Sequence, residues 1–277
     1  MRRIAVAALA ALSACAVGLS QPEPSVVPAV GHGLSAIEVT DGGTAFVALS
    51  DRGIMIHGRF LRSAGRLNDV VVVSENRLKN AEGEWPASVN SRDSEGLALA
   101  ADGTVFVSYE GRHRVAHHRA DGALIETMPA PIRRGTNGNR GIEALARAPD
   151  GTFYALPEKQ GGPLPIWRRG PGEPWAQIAE LPSRAGYAPA GADIGPDGRL
   201  YILERAFLGV GFAARVLRVE TDGSGLSTVL DLPLGRHGNL EGLSIWRDGA
   251  GRLRATMVED DNFQSFQRGG IVEYVLE

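Results

Sequence analysis

Short runs of alternating apolar and polar residues recur along the chain, separated by turn-forming pairs. One stretch shows three of them in succession, at residues 104–109, 114–118 and 124–127. Alternation of period two predicts β-strands, and no segment of helical length shows the 3.6-residue apolar period of an amphipathic helix. Asp-Gly dipeptides, a strong hairpin signal between apolar runs, occur at positions 41, 102, 121, 150, 197, 222 and 248. The pattern therefore predicts a succession of β-hairpins.

The hairpins belong to a longer repeat. Glu95, Glu143 and Glu241 each stand seven residues before an Asp-Gly turn. With Ser35 and Ala190 at the equivalent positions of two further units, successive starts are separated by 60, 48, 47 and 51 residues. This period predicts an all-β fold, a β-propeller of five four-stranded blades. A six-bladed ring is the alternative, because the first interval is long enough to contain additional strands, whereas a β-sandwich predicts no such period.

The N-terminus carries the features of an export signal. Two arginines precede an apolar stretch at residues 4–12, and the sequence Leu-Ser-Ala-Cys that ends at Cys15 resembles a bacterial lipobox. We expect residues 1–15 to be a signal peptide with lipobox, 16–28 a proline-rich tether and 29–277 a single propeller domain. A strand near residues 26–30 would close the ring against the last blade. The predicted location is the periplasmic side of the outer membrane, held by lipid on Cys15; cleavage at Ala14 or Ala16 would instead release a periplasmic protein.

Composition narrows the function classes. The chain has 29 basic and 32 acidic residues, a net charge of −3 and no basic block, so nucleic acid is not an expected partner. Cys15 is the single cysteine, which excludes intramolecular disulfides and multi-thiolate metal sites. The sequence contains no G-x-S-x-G elbow, so serine hydrolase chemistry has no support. We expect a monomer whose contact with the membrane is the lipid alone.

The repeat predicts where the acidic residues gather. In a propeller blade the first strand lines the channel and the second returns beside it, so the start of one and the end of the other share a face. First-strand starts carry Glu95, Glu143 and Glu241, and second-strand ends carry Asp51, Glu110, Glu158, Glu204 and residues 259–261. The prediction is a ring of carboxylates at one channel mouth. The fourth blade has Ala190 at the inner position and Asp193 three residues later, and sequence leaves open whether a bulge brings Asp193 inward.

Two interpretations of this ring follow from charge. Close carboxylates raise each other's pKa unless a cation or arginine compensates them. In the first interpretation Glu95, Glu143 and Glu241, with Asp193, hold Ca²⁺, which takes six to eight oxygen ligands. In the second, each acid pairs with a neighbouring arginine and the cluster is structural.

Several stretches resemble the bacterial phytase-like family, described as "esterase-like activity of phytase". The matching segments are residues 46–53, 94–97, 141–145, 195–205 and 239–243. The resemblance implies a propeller in an exported bacterial protein, with recurrent acids that serve phosphoester chemistry. By motif match the residues that carry it are Asp51, Arg52, Glu95, Glu143, Glu204, Arg205 and Glu241.

The leading hypothesis is a Ca²⁺-dependent phosphoesterase that acts on a small phosphorylated substrate. Glu110 would serve as general base. Arg52, Arg112 and Arg205 would offset the charge of the phosphoryl oxygens, and Asp51 joins this catalytic group by motif match. The alternatives are a non-catalytic propeller that binds an envelope ligand, and a metal-dependent lactone or ester hydrolase.

Overall fold

Five four-stranded antiparallel sheets are arranged as a β-propeller in the computed structural model. The structure describes residues 23–132, 141–159, 161–182, 184–264 and 269–276. Cys15 and the rest of the predicted signal peptide lie outside the described residues. Within these ranges, no helix is long and apolar enough to cross a bilayer.

The blades follow one another along the chain, each built from the channel outward. Blade 1 contains β2 (Leu34–Thr40), β3 (Ala45–Ser50), β4 (Ile54–Ser63) and β5 (Arg66–Arg77). The short helix α1 (Val89–Arg92) precedes blade 2, which contains β6 (Ser94–Leu99), β7 (Val105–Tyr109), β8 (Arg114–His118) and β9 (Leu124–Pro129). Blade 3 contains β10 (Ile142–Arg147), β11 (Phe153–Pro157), β12 (Leu164–Arg169) and β13 (Ala176–Leu181). Blade 4 contains β14 (Ala188–Ile194), β15 (Leu200–Phe207), β16 (Phe212–Val219) and β17 (Ser227–Leu232).

The two ends of the chain complete blade 5 together. Its strands are β18 (Asn239–Arg247), β19 (Leu253–Asp260), β20 (Gly270–Val275) and the N-terminal β1 (Ser25–Pro28), which pairs antiparallel with β20. The predicted ring closure by a strand near residues 26–30 is thus confirmed. Because β1 begins at Ser25, the propeller also includes residues 25–28, which were predicted to belong to the tether.

The six-bladed alternative is wrong. The long first interval comes from long outer strands, since β4 has 10 residues and β5 has 12. The remaining length is the connection that contains α1. All of it belongs to the first blade and the link to the second, so no additional sheet is formed there.

The Asp-Gly turns have a common physical basis. In the β6–β7 hairpin the Gly103 N–H donates to the Ala100 carbonyl at 3.0 Å, and Gly103 has a φ of +82°. The Asp102 carboxylate accepts the Thr104 N–H at 3.0 Å, which closes the turn a second time. Equivalent aspartate acceptors occur at Asp121, Asp150, Asp197 and Asp222. Aspartate therefore fixes the turn and glycine supplies its left-handed residue.

The apolar core lies between adjacent blades. Each of the five large clusters of buried residues takes its members mainly from two neighbouring sheets. Between blades 4 and 5, for example, Leu203 and Val216 pack in one cluster with Leu243 and Met257. Burial of these side chains on both faces of every sheet stabilises the ring. This packing fixes the inner strands and, with them, the channel mouth.

Below the mouth the channel is closed by direct contact of the inner strands. A Cβ on Gly96 would lie 2.9 Å from the backbone N of Leu145, and one on Gly191 would lie 2.9 Å from the Cα of Gly242. The cavity that remains at this level is about 10 Å³, at the lower limit for one water molecule. Chemistry is therefore confined to the mouth.

Candidate functional site

A β-bulge occurs at the start of every inner strand. The pairing between the first and second strands shifts between Leu34 and Ala36 in blade 1 and between Ile142 and Ala144 in blade 3. The other three blades shift at the equivalent place. In blades 2 and 3 the repeated glutamate lies in the bulge, where it is released from the ladder and its side chain is re-aimed. In blade 5 Glu241 pairs with Val258 and directly precedes the bulge. Glu95, Glu143 and Glu241 thus lie at or next to the bulge of their blades.

These three glutamates are brought together, as predicted. Glu143 and Glu241 both raise the pKa of Glu95, and Glu241 also raises that of Glu143. In each case burial is the larger cause of the raised pKa. Ser35 and Ala190 occupy the equivalent positions in blades 1 and 4 and contribute no charge. The inner ring therefore carries three carboxylates on three of five blades.

A second ring of residues lies near the end of the second strand of each blade. The second-strand residues that pair with the position directly before the repeated one are Ser50, Tyr109, Pro157, Glu204 and Glu259. One position further along stand Asp51, Glu110, Glu158, Arg205 and Asp260. Four of these five are acidic, and blade 4 contributes an arginine. Arg205, and not the predicted Glu204, is therefore the blade 4 residue equivalent to Asp51 and Glu110.

Glu204 does not join the mouth. It is buried, and its Oε2 accepts a hydrogen bond from the Arg215 Nε at 2.6 Å within blade 4. Because adjacent residues of a strand point to opposite faces, Arg205 is the one that reaches the channel. Its Nη2 donates to the Glu241 Oε1 at 2.9 Å. Glu204 and Glu241 thus each pair with an arginine, as the second interpretation of the ring proposes.

The tightest group of oxygen atoms lies in blade 2. Asp93, Glu95 and Glu110 each place one carboxylate oxygen within 4.8 Å of the others, close enough to share a metal ion. Asp93 was not predicted, although it stands two residues before Glu95, directly ahead of β6. Here the chain after α1 adds an acid to the two rings. Burial raises the pKa of Asp93 above its usual range.

We call the combined set the carboxylate crown. It consists of Glu95, Glu143, Glu241, Asp51, Glu110, Glu158, Asp260 and Asp93. Burial, and then the neighbouring carboxylates, bring the pKa of Asp51 to about 7 against the opposing charge of Arg52. Burial likewise brings the pKa of Glu241 to about 7, although Arg205 lowers it. At neutral pH the crown therefore shares protons in the absence of a cation.

Two arginines meet the crown at different depths. Burial disfavours the charged form of Arg205, but Glu241 and Glu143 together raise its pKa above the ordinary value. Its Nε is buried and has no hydrogen-bond partner among the described residues. Arg52 lies nearer the solvent, with its Nε 3.4 Å from the Asp51 Oδ1 and its Cζ 4.5 Å from the centroid of the Phe263 ring. Both guanidinium groups are thus held beside the acids.

Asp193 does not join the inner ring. It lies three residues further along β14, where its Oδ2 accepts the Ile245 N–H at 2.6 Å. There it faces Glu38, whose Oε2 is 3.2 Å from the Ser244 hydroxyl, and both acids are buried. Burial raises the pKa of Asp193 to about 7 and that of Glu38 well above its usual range. The bulge precedes Asp193 and does not carry it to the mouth.

Arg112 lies away from the channel. It lines a cavity of about 480 Å³ between blades 1 and 2. No described contact joins Arg112 to a carboxylate of the crown. The turn between β7 and β8 places Glu110 toward the channel and Arg112 toward the neighbouring blade.

The donor set of the crown suits a hard cation. All three clustered ligands are carboxylates, which Ca²⁺ and Mg²⁺ prefer over nitrogen or sulfur. Two further oxygen atoms nearby, Asp51 Oδ1 and Asn239 Oδ1, are buried without a hydrogen-bond partner among the described residues. Asn239 also donates its amide to Glu241 at 2.9 Å and to Asp260 at 3.2 Å. A cation at the mouth would satisfy these acceptors and lower the repulsion of the crown.

The chain belongs to the phytase-like family. The family model described as "Esterase-like activity of phytase" matches residues 30–263. This range covers most of the propeller, including every residue of the crown. The family resemblance of the short motifs is therefore confirmed over residues 30–263. No curated protein matches the sequence.

Solved structures share the propeller fold at low sequence identity. Regucalcin from Agrobacterium tumefaciens, a calcium-binding protein, is 15% identical, with 88% of this chain and 75% of that chain covered and a TM-score of 0.50. Virginiamycin B lyase from Staphylococcus aureus is 14% identical over 91% and 74% of the two chains, with a TM-score of 0.45. The PQQ-bound aldose sugar dehydrogenase from Streptomyces coelicolor is 12% identical over 92% and 100%, with a TM-score of 0.46. The similarity to regucalcin concerns the fold alone.

Proposed function

We propose that the carboxylate crown binds Ca²⁺ and that the protein is a calcium-dependent phosphoesterase of the cell envelope. The observation that carries the proposal is the convergence of Asp93, Glu95 and Glu110 within 4.8 Å, near the half-buried Arg205. The calcium-binding propeller that shares the fold is only 15% identical, so the metal is inferred from the oxygen atoms of this chain. Bound Ca²⁺ would orient a phosphate ester and lower the pKa of an attacking water.

The protein's own groups would divide the remaining work. Arg205 and Arg52 would bind the phosphoryl oxygens, since guanidinium groups match phosphate geometry and offset its charge. Asp51 is placed to accept a proton, because its pKa is about 7 and its Oδ1 has no hydrogen-bond partner among the described residues. A base with a pKa near the working pH is the most effective. In this proposal Asp51 takes the role of general base that the sequence assigned to Glu110, because Glu110 lies in the metal cluster.

The proposed location of the protein rests on the lipobox-like sequence that ends at Cys15. We propose export of the protein and attachment of lipid to Cys15, with β1 starting ten residues later at Ser25. A segment of that length would span at most about 33–36 Å when extended. The propeller would therefore act close to the membrane surface.

Calcium titration of the full-length chain by calorimetry tests the metal site. Glu95→Gln keeps the size of the side chain and removes its charge, so we expect calcium affinity to fall at least about tenfold. Glu180→Gln is the matched control, because Glu180 is exposed on the outer strand β13. Absence of saturable calcium binding by the wild type would contradict the proposal.

A panel of phosphate esters and lactones tests the reaction. Calcium-dependent hydrolysis of a phosphate ester that is lost in Arg205→Gln supports a phosphoesterase. Hydrolysis of lactones alone would favour the ester hydrolase. Calcium binding with no turnover of either substrate type would favour a binding propeller.

A further inference from the structure

A basic cavity lies between blades 1 and 2, apart from the carboxylate crown. We call it the inter-blade cavity; its volume is about 480 Å³. Four cationic side chains line it, and Glu82 is the one carboxylate among its lining residues. The cations are Lys79, Arg92, Arg112 and Arg114. The charge of this cavity is thus opposite to that of the channel mouth.

Aromatic rings and backbone carbonyls hold two of these arginines. The Cζ of Arg92 lies 3.8 Å from the centroid of the Trp85 ring, and the Cζ of Arg114 lies 3.6 Å from that of Tyr109. Arg114 donates to the carbonyl of Ser91 at 2.8 Å and to that of Arg112 at 3.0 Å. Such contacts orient a guanidinium group without neutralising it.

The arginines of the cavity form no ion pair in the described part of the chain. There, no carboxylate oxygen lies within 4.0 Å of a side-chain nitrogen of the four cations, although Lys79 interacts electrostatically with Asp121. The Nε of Arg92 is buried and has no hydrogen-bond partner among the described residues. Burial also lowers the pKa of Arg114. A partly buried guanidinium such as that of Arg92 is unfavourable without an ionic partner, and an anion in the cavity would remove this cost.

We propose that the inter-blade cavity binds a small organic molecule that bears a phosphate group. Guanidinium groups bind phosphate oxygens by paired hydrogen bonds, and the cavity presents three of them with one ammonium group. Leu78, Ala116 and Leu124 form an apolar part of the wall, which suits the organic portion of the ligand. The volume lies within the range of small-molecule sites, about 300–1,000 Å³.

The inter-blade cavity is separate from the crown but shares two chain segments with it. Arg92 directly precedes Asp93, and Arg112 follows Glu110 by two residues. The same short segments therefore place their acids toward the channel and their arginines toward the cavity. Binding at the cavity does not depend on the proposed phosphoesterase activity, because it requires neither metal nor turnover.

Calorimetric titration of the full-length chain with inorganic phosphate and glycerol 3-phosphate, in chelator and at low salt, tests the proposal. We expect saturable binding of glycerol 3-phosphate that weakens at least about tenfold in Arg112→Gln and in Arg92→Gln, since each removes a charge-assisted hydrogen bond. Arg119→Gln is the matched control, because Arg119 is exposed in the same blade and pairs with Asp121.

The variants also separate this cavity from the channel mouth. Glu95→Gln should not weaken phosphate binding, because Glu95 lies in the crown and a carboxylate repels an anion. Arg112 is exposed, so its variant is expected to fold, and thermal unfolding checks this. Absence of saturable binding, equal binding by Arg112→Gln and wild type, or a loss in Glu95→Gln would each overturn the proposal.

Discussion

Glu241 makes the stability of the metal-free protein depend on pH in a direction opposite to that of an ordinary salt-bridged acid. Its pKa is about 7 in the folded protein, against an ordinary value of 4.5. A carboxyl whose pKa is raised by folding stabilises the folded state below pH 4.5. That stabilisation is lost as the pH rises toward 7, because the unfolded chain ionises first.

The size of the effect follows from the two pKa values of Glu241. At about 1.4 kcal/mol per pH unit, the difference between about 7 and 4.5 corresponds to about 3 kcal/mol, most of which is lost between pH 5 and pH 8. Only 13% of the side chain is exposed, so solvent screening is small. Glu241→Gln removes this titration and keeps an oxygen that can accept from Arg205 and Asn239.

Urea unfolding in chelator at pH 5 and pH 8 measures the effect. The loss of unfolding free energy between the two pH values should be smaller in Glu241→Gln than in the wild type by about 2–3 kcal/mol. The pKa of His118 is lowered to about 4 by burial, which adds stability as the pH rises through 6.5. That contribution is the same in both proteins and cancels in the difference.

Two results would refute the reasoning about Glu241. The first is an equal pH dependence in Glu241→Gln and the wild type, which would mean that Glu241 ionises normally. The second is a Glu180→Gln control that changes the pH dependence as much as Glu241→Gln does. Saturating Ca²⁺ should remove most of the wild-type loss, because a cation restores the ionised form of the crown.

Three further outcomes are expected. Gly96→Ala should destabilise the protein by about 1–3 kcal/mol, because its Cβ would lie 2.9 Å from the Leu145 backbone N; Gly249→Ala, with open space around it, should be near neutral in the same denaturant titration. Ser94→Ala should cost about 1–3 kcal/mol, since the fully buried hydroxyl donates to the Ser50 carbonyl at 2.7 Å and joins blades 1 and 2. Cys15→Ser should move the protein from the membrane to the soluble fraction and abolish incorporation of labelled fatty acid; retention in the membrane would contradict lipid attachment.

The sequence predicts the fold well because each repeat contains an Asp-Gly turn that can be recognised from local sequence. An Asp-Gly turn such as Asp102-Gly103 requires both a short acceptor side chain and a left-handed residue, so it marks a hairpin wherever it occurs. The spacing of these turns then gives the number of blades. Blade 1 left a six-bladed alternative open because β5 has 12 residues, and strand length is set by packing rather than by a turn signal.

The candidate site is predictable only as far as register is. Matching acid to acid aligns Glu204 with Asp51 and Glu110, yet the observed pairing places Arg205 there. A displacement of one residue sends a side chain to the opposite face of the strand. The signal that distinguishes the two is the spacing from the turn, since Arg205 follows Asp197 by eight residues as Glu110 follows Asp102. Asp93 was not predicted because it precedes β6 and lies outside the repeated unit.

The inner strands show how five blades accommodate their acids. Each blade has one acid at either the bulge or the position three residues later, never at both. Blades 2, 3 and 5 have Glu95, Glu143 and Glu241 at or next to the bulge, whereas blades 1 and 4 have Glu38 and Asp193 at the deeper position. The deeper pair is buried and hydrogen-bonded to blade 5, so its raised pKa suits a protonated, structural role. The bulge acids face the mouth together with Asp51 and Asp93. Sorting the acids into two levels therefore leaves the charge that a cation would meet at the channel mouth, where Asp93, Glu95 and Glu110 of blade 2 lie within 4.8 Å of one another.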